Sequence, residues 1–195
     1  ILRVFLRTSV VAARGYFYSP IENSEPKGFD AFHLMNRNGN IDLWFGEAKF
    51  YLRYKDAITP VIEKLAISLS DGYLNRNLIA IINQQDHLSV SNACLDALLN
   101  AWHENPNVNL AQEMQIRGIR LIYPIFIAYE KTGRDTYHES IKKCIDYIAA
   151  EYTRIGINIP AAFDYRLFFI FLPLSEVRQI KESVIRWIDS QEPLI

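Results

Sequence analysis

The dipeptide Asn38-Gly39, set between the apolar runs Gly28–Met35 and Ile41–Tyr51, constrains this chain more than any other feature. Asn-Gly is the preferred centre of a two-residue type I′ turn, because both central positions need φ > 0. Such a turn sets a register. It pairs Arg37 with Asn40 and, counting back, Leu34 with Leu43, Phe32 with Phe45 and Asp30 with Glu47. Directly opposed residues share a face of the sheet, and so do residues two apart on a strand. Asp30, Glu47 and Lys49 are therefore predicted to converge on one side of the hairpin. The apolar pairings make independent sense of the same register. His33 falls opposite Trp44 on the other side, where it is expected to pack rather than to ligate.

Two opposed carboxylates with Cβ atoms roughly 5 Å apart repel each other. A divalent cation between them turns that repulsion into a binding site. Mg²⁺ takes one or two protein carboxylates and leaves its other positions to water and phosphate oxygens. An ammonium alongside suits a reaction in which negative charge builds on a phosphate. The pattern points to metal-assisted phosphodiester cleavage. The plainer alternative, that Glu47 and Lys49 are half-buried surface charges on an ordinary strand, stays open on residue types alone. Glu-x-Lys also occurs at Glu25-Pro26-Lys27, but in a loop with proline at its centre, and is read as chance. If strand parity persists beyond Tyr51, then Lys49, Tyr51, Arg53 and Lys55 line one face. That strip is either a place for a nucleic-acid backbone or an ordinary solvated strand end.

The rest of the chain alternates. Residues 1–18 fit a helix or a strand equally well, and residues 19–27 read as a loop. Thr59-Pro60 is a good helix start, with Gly72 as its stop. Residues 73–85 read as a helix, and so does the stretch from about Ser91 to His103. A polar approach, 112–117, leads to a β-branched and aromatic strand over 118–129, in which Pro124 argues for an edge, a bulge or a break. An amphipathic helix is predicted over 137–155, with 141, 144/145, 148 and 152 inward and Gly156 as its stop. Arg166–Leu172 reads as a buried strand. Ser175 caps a last helix with Val177, Ile180, Val184, Ile185 and Ile188 inward. The whole implies an α/β chain with a mixed central sheet flanked by helices.

At 195 residues and half hydrophobic, the chain can bury a core as a single domain spanning 1–195. It opens with Ile rather than Met, from which a missing natural N-terminal part is expected. Its formal net charge of −1 lends no support to a dedicated DNA-binding domain, which would be plainly basic. No apolar run approaches the ~20 residues of a membrane span. Cys94 and Cys144 are both expected to be buried structural thiols in a reducing cytoplasm. His87, His103 and His138 have no metal-ligand spacing. Trp102 and Trp187 read as core or as partner surface.

The hairpin, with its Asp30, its Glu47-Ala48-Lys49 and a helix soon after, resembles the PD-(D/E)xK nuclease superfamily. More narrowly, the segments Gly28–Met35 and Asp42–Tyr51 are similar to HamA, the family of nuclease subunits of Hachiman anti-phage defence systems. The later strands and helices are compatible. The resemblance implies a restriction-endonuclease-like core and a Mg²⁺ (or Mn²⁺) ion held by Asp30, Glu47 and the Ala48 carbonyl. It implies that Lys49 positions the attacking water and stabilises the charged transition state. It also implies DNA as substrate and a helicase partner (HamB-like) that holds the nuclease inactive until foreign or damaged DNA is sensed. In one respect the chain departs from the pattern. Superfamily members often carry another acid on a helix before the first strand, whereas Glu22 and Glu25 here lie in loop sequence. Either that acid belongs to the missing part or the site works without it. Two other readings remain beside the DNase: a catalytically silent nuclease-fold module that only binds a partner, and an RNase or restriction enzyme on the same fold.

Overall fold

The computed structural model describes residues 10–13, 31–37, 39–82, 92–105, 107–156 and 163–190. The hairpin forms as predicted from strand β2 (Ala31–Arg37) and strand β3 (Asn40–Tyr51). Arg37 faces Asn40, Leu34 faces Leu43, Phe32 faces Phe45 and Ala31 faces Gly46, without a register shift. Gly39 has φ 87°, which only glycine adopts cheaply, and its N–H donates to Asn36 Oδ1 at 3.0 Å. The Phe32 and Phe45 rings lie 5.3 Å apart. The undecided N-terminal stretch contributes strand β1 (Val10–Ala13), antiparallel to β2, with a register shift between Val10 and Ala12.

Strands β4 (Arg120–Glu130) and β5 (Tyr165–Leu174) complete a sheet of order β1-β2-β3-β4-β5. The Leu121 N–H donates to the Asp164 carbonyl and the Lys131 N–H to the Leu174 carbonyl, so β4 and β5 start and end together and run parallel. The Glu130 N–H donates to the Leu52 carbonyl just past the end of β3, which sets β3 parallel to β4 as well. The sheet is therefore mixed, as predicted. Residues 42–46 of β3 and 121–125 of β4 are buried without alternation, the mark of strands covered on both faces. Pro124 lies inside β4, which stands between β3 and β5 and is neither an edge nor interrupted. A proline removes one ladder donor, and an otherwise apolar, β-branched strand absorbs that loss. By contrast β5, expected to be buried, is last in the strand order and leaves Phe168 and Leu172 exposed.

The helices are α1 (Tyr54–Ser68), α2 (Asp71–Ile82), α3 (Ala93–His103), α4 (Leu110–Arg117), α5 (Tyr137–Ile155) and α6 (Val177–Ser190). Helix α1 starts earlier than Thr59-Pro60 and carries Pro60 inside it. Thr59 is not a cap: its hydroxyl meets Tyr147 Oη at 2.8 Å and Glu151 Oε2 at 3.0 Å. Gly72 lies in the first turn of α2 rather than stopping α1. The polar approach to β4 is itself a helix, α4, capped by Asn109 and closed by Gly118 at φ 62°. Helix α5 has the predicted bounds, a Thr136–Glu139 capping box and Gly156 at φ 64°.

The chain divides into two compact units. One comprises Ile1–Glu47, Leu65–Ile125 and Asn158–Phe168. In it Phe32, Leu34, Leu43, Phe45 and Leu121 are buried with Leu74 and Leu78 of α2 and with Leu95, Leu99 and Trp102 of α3. Trp102 is core, its Nε1 donating to Glu113 Oε2 at 3.1 Å, whereas Cys94, one turn from buried Leu98, is exposed rather than buried. His33 packs opposite Trp44 as expected and is 5% exposed. Burial holds its imidazole below the usual histidine range. Such a group favours the native state above the unfolded pKa of about 6.5 and loses that contribution as pH falls through its folded value. Urea resistance should therefore drop on acidification below about pH 6.5. In His33→Gln the drop should be shallower, and equal pH slopes for the two proteins would rule out this residue as a source.

The other unit comprises Ala48–Lys64, Phe126–Ile157 and Phe169–Ile195. Ala57, Ile58, Val61, Ile62, Ile127, Tyr129 and Cys144 are buried there. The inward face of α5 follows the predicted apolar stripe only in part. Cys144 is buried and Ile141 and Ile148 are half-buried, but Ile145 and Tyr152 are exposed, and Ser140 and Glu151 are buried instead. Polar residues take the inward face because partners meet them: Ser140 Oγ lies 2.9 Å from Tyr129 Oη, and Glu151 accepts from Thr59 and Arg154. Burial raises the Cys144 thiol above its ordinary range. On α6 only the first predicted inward residue is buried. Val177 is covered, and its N–H donates to Glu130 Oε2 at 3.0 Å, but Ile180, Val184, Ile185 and Trp187 are exposed. Ile188's side chain lies outside the described residues. Among the described residues no helix is long and apolar enough to cross a membrane.

Candidate active site

Strand β3 carries Glu47, Ala48 and Lys49 in consecutive positions. Glu47 and Lys49 are half-buried and Ala48 is exposed, the pattern of alternation at the end of a covered strand. Glu47 shares its face of β3 with buried Leu43 and Phe45. From β4, the Tyr123 hydroxyl donates to Glu47 Oε2 at 2.8 Å. Tyr123 is itself only 2% exposed. Burial, reinforced by the neighbouring Glu47 charge, pushes the Tyr123 phenol far above its usual range. At neutral pH the phenol keeps its proton and donates it to this carboxylate.

Asp30 lies outside the described residues, as do Glu22, Glu25 and Lys27. The described ladder ends at Ala31 with Gly46, one step short of Asp30 and Glu47. Among the described residues no group of three or more His, Cys, Asp or Glu side chains could hold a metal. The donors that β3 does offer, a carboxylate at Glu47 and a main-chain carbonyl at Ala48, are hard oxygen atoms. Mg²⁺ and Mn²⁺ take such atoms, and Mg²⁺ commonly makes do with one or two protein ligands, so the residues fit the ion.

The basic strip does not form on the strand. β3 ends at Tyr51, the chain bends at Leu52 and Arg53, and α1 begins at Tyr54. Arg53 folds onto Asp56, its Nε 2.7 Å from Oδ2 and a terminal nitrogen 2.8 Å from Oδ1. Lys55 sits on the helix with its ammonium 5.1 Å from the centre of the Tyr147 ring. Helix parity replaces strand parity here, because the Arg53 carbonyl accepts the Asp56 N–H and opens a helical turn. On the opposite face of β3 from Glu47, Asp42 is buried and its Oδ1 accepts two bonds from Arg120 of β4, at 3.0 and 2.8 Å.

The Tyr123–Glu47 contact was not legible in the sequence. Strand parity within 120–130 marks which residues share a face, but nothing local says that β4 lies beside β3 in parallel. Compared with known proteins, residues 1–188 match the family model described as HamA. No curated protein and no solved structure matches the chain.

Proposed function

Since the chain belongs to the HamA family, we propose that it is a metal-dependent DNase, the effector of an anti-phage defence system, acting through Asp30, Glu47 and Lys49. Family membership supports the nuclease-effector role. The single observation that carries the site assignment is the β2–β3 register, which obeys the Asn38-Gly39 pairing at every described position. Continued by one residue, the same pairing would set Asp30 against Glu47, which is the premise of the proposal.

In this reading Asp30, Glu47 and the Ala48 carbonyl hold Mg²⁺ or Mn²⁺. When bound, the ion supplies Lewis-acid polarisation of the phosphate and an acidified water. Lys49 places its ammonium beside the scissile phosphate, orients the attacking water and offsets the charge that builds on the non-bridging oxygens. Arg53 and Lys55, both exposed, follow in the chain and are assigned to backbone phosphates of the DNA. A helicase subunit is the partner proposed to hold the nuclease inactive until DNA is sensed.

A second reading has one observation in its favour: among the described residues there is no three-ligand metal group. It makes the chain a silent nuclease-fold module that recruits its partner without cutting. The complex with its helicase, given plasmid DNA, separates the two. The DNase reading expects nicking or linearisation with Mg²⁺ or Mn²⁺ and none with EDTA. Intact plasmid under every activating condition, with the complex still formed, would favour the silent module. An RNA panel in the same assay tests the sugar preference.

A further inference from the structure

We propose that Tyr123 is a positioning residue that orients the Glu47 carboxylate before the cation arrives. The inference rests on the reading of Glu47 as a metal ligand and goes beyond it by assigning a role to β4. A glutamate has several rotatable bonds, and a ligand that must be ordered on binding weakens the complex by the freedom it loses. Glu47 does not start from that state. Its Oε2 accepts from Tyr123 at 2.8 Å, and the ring that carries this hydroxyl is almost wholly buried.

A tyrosine oxygen has one hydrogen to give, and here it goes to Glu47. The bond thus runs from the inner strand β4 to the ligand, and the buried ring fixes the direction from which it comes. Hydrogen bonds behind a ligating carboxylate do this in metal sites generally, and losing one costs roughly 10–100-fold in metal affinity.

The test uses Mn²⁺ alone as the probe and the full chain, wild type and variants, with binding read by electron paramagnetic resonance of free Mn²⁺. Tyr123→Phe keeps the ring and should weaken Mn²⁺ binding by about 10–100-fold. The lost cleavage in Tyr123→Phe should return as Mn²⁺ is raised, which a general packing defect would not produce. Circular dichroism establishes that each variant is folded; if Tyr123→Phe is not, Tyr123→Leu, which lacks the same donor, decides. Unchanged or tighter Mn²⁺ binding in the folded Tyr123→Phe protein, or in Tyr123→Leu where that variant decides, overturns the positioning role. Glu47→Gln is the control for the premise. If it binds Mn²⁺ as the wild type does, the metal-site reading itself fails, whatever the Tyr123 variant shows.

Discussion

Replacing Glu47 or Lys49 should lower Mg²⁺-dependent DNA cleavage by about 100-fold or more, and the two losses should differ in kind. Glu47→Ala removes an anionic ligand, so both ion binding and cleavage are expected to go. It also removes the acceptor of the buried Tyr123 hydroxyl's hydrogen bond, at a cost of about 1 kcal/mol. Glu47→Gln is the better variant, because the amide oxygen can still accept from Tyr123 while the charge is gone. Lys49→Ala leaves the carbonyl and carboxylate donors in place. It should bind Mn²⁺ nearly as the wild type does yet cut slowly, since the missing ammonium matters most when charge accumulates on the phosphate. Cleavage at the wild-type rate in both variants would sink the site assignment. Loss of Mn²⁺ binding in Lys49→Ala would reassign that residue from the reaction to the assembly of the site.

The largest stability effect is expected on the opposite face of the same strand, at Arg120. Asp42 is buried, and Arg120 supplies two hydrogen bonds to one of its oxygens. A buried pair adds little net stability when formed, because desolvation offsets the attraction, but removing one partner leaves a carboxylate in the interior without compensation. Arg120→Ala should therefore lower the free energy of unfolding by about 3 kcal/mol, at the low end for a buried pair because the guanidinium keeps some solvent contact. The urea midpoint is the readout. Replacing both partners together with apolar residues should recover much of the loss. A single-variant midpoint indistinguishable from wild type would mean that Asp42 reaches water without its partner. Since Asp42 and Glu47 lie on opposite faces of β3, Mn²⁺ affinity in the folded Arg120 variant should stay near the wild-type value.

How far the sequence reached depended on the range of the interaction being read. The hairpin register came from two adjacent residues, because a two-residue turn geometrically dictates every pairing beyond it, and the observed ladder follows it throughout. Helix α5 was legible to its bounds because Thr136, Glu139 and Gly156 act within one turn of the chain. Helix α4 left comparable signals in Asn109 and Gly118, but its polar surface masked them. Faces fared worse than elements. Apolar periodicity on α5 and α6 marked a stripe, whereas burial followed what packed against each helix, so Ser140 and Glu151 went inside while Ile145 and Ile185 stayed out.

The same division runs through the site. By itself the sequence determined the order and parity of β2 and β3, and with them the shared face of Glu47 and Lys49, since backbone pleating needs no information from elsewhere. Only the tertiary structure could decide that β4 lies parallel beside β3. That placement brings Tyr123 onto Glu47 and Arg120 onto Asp42, across separations of 76 and 78 residues. No local rule encodes such pairings; they exist because the backbone groups along the second edge of β3 need a neighbouring strand, and β4 is the apolar strand the fold places there.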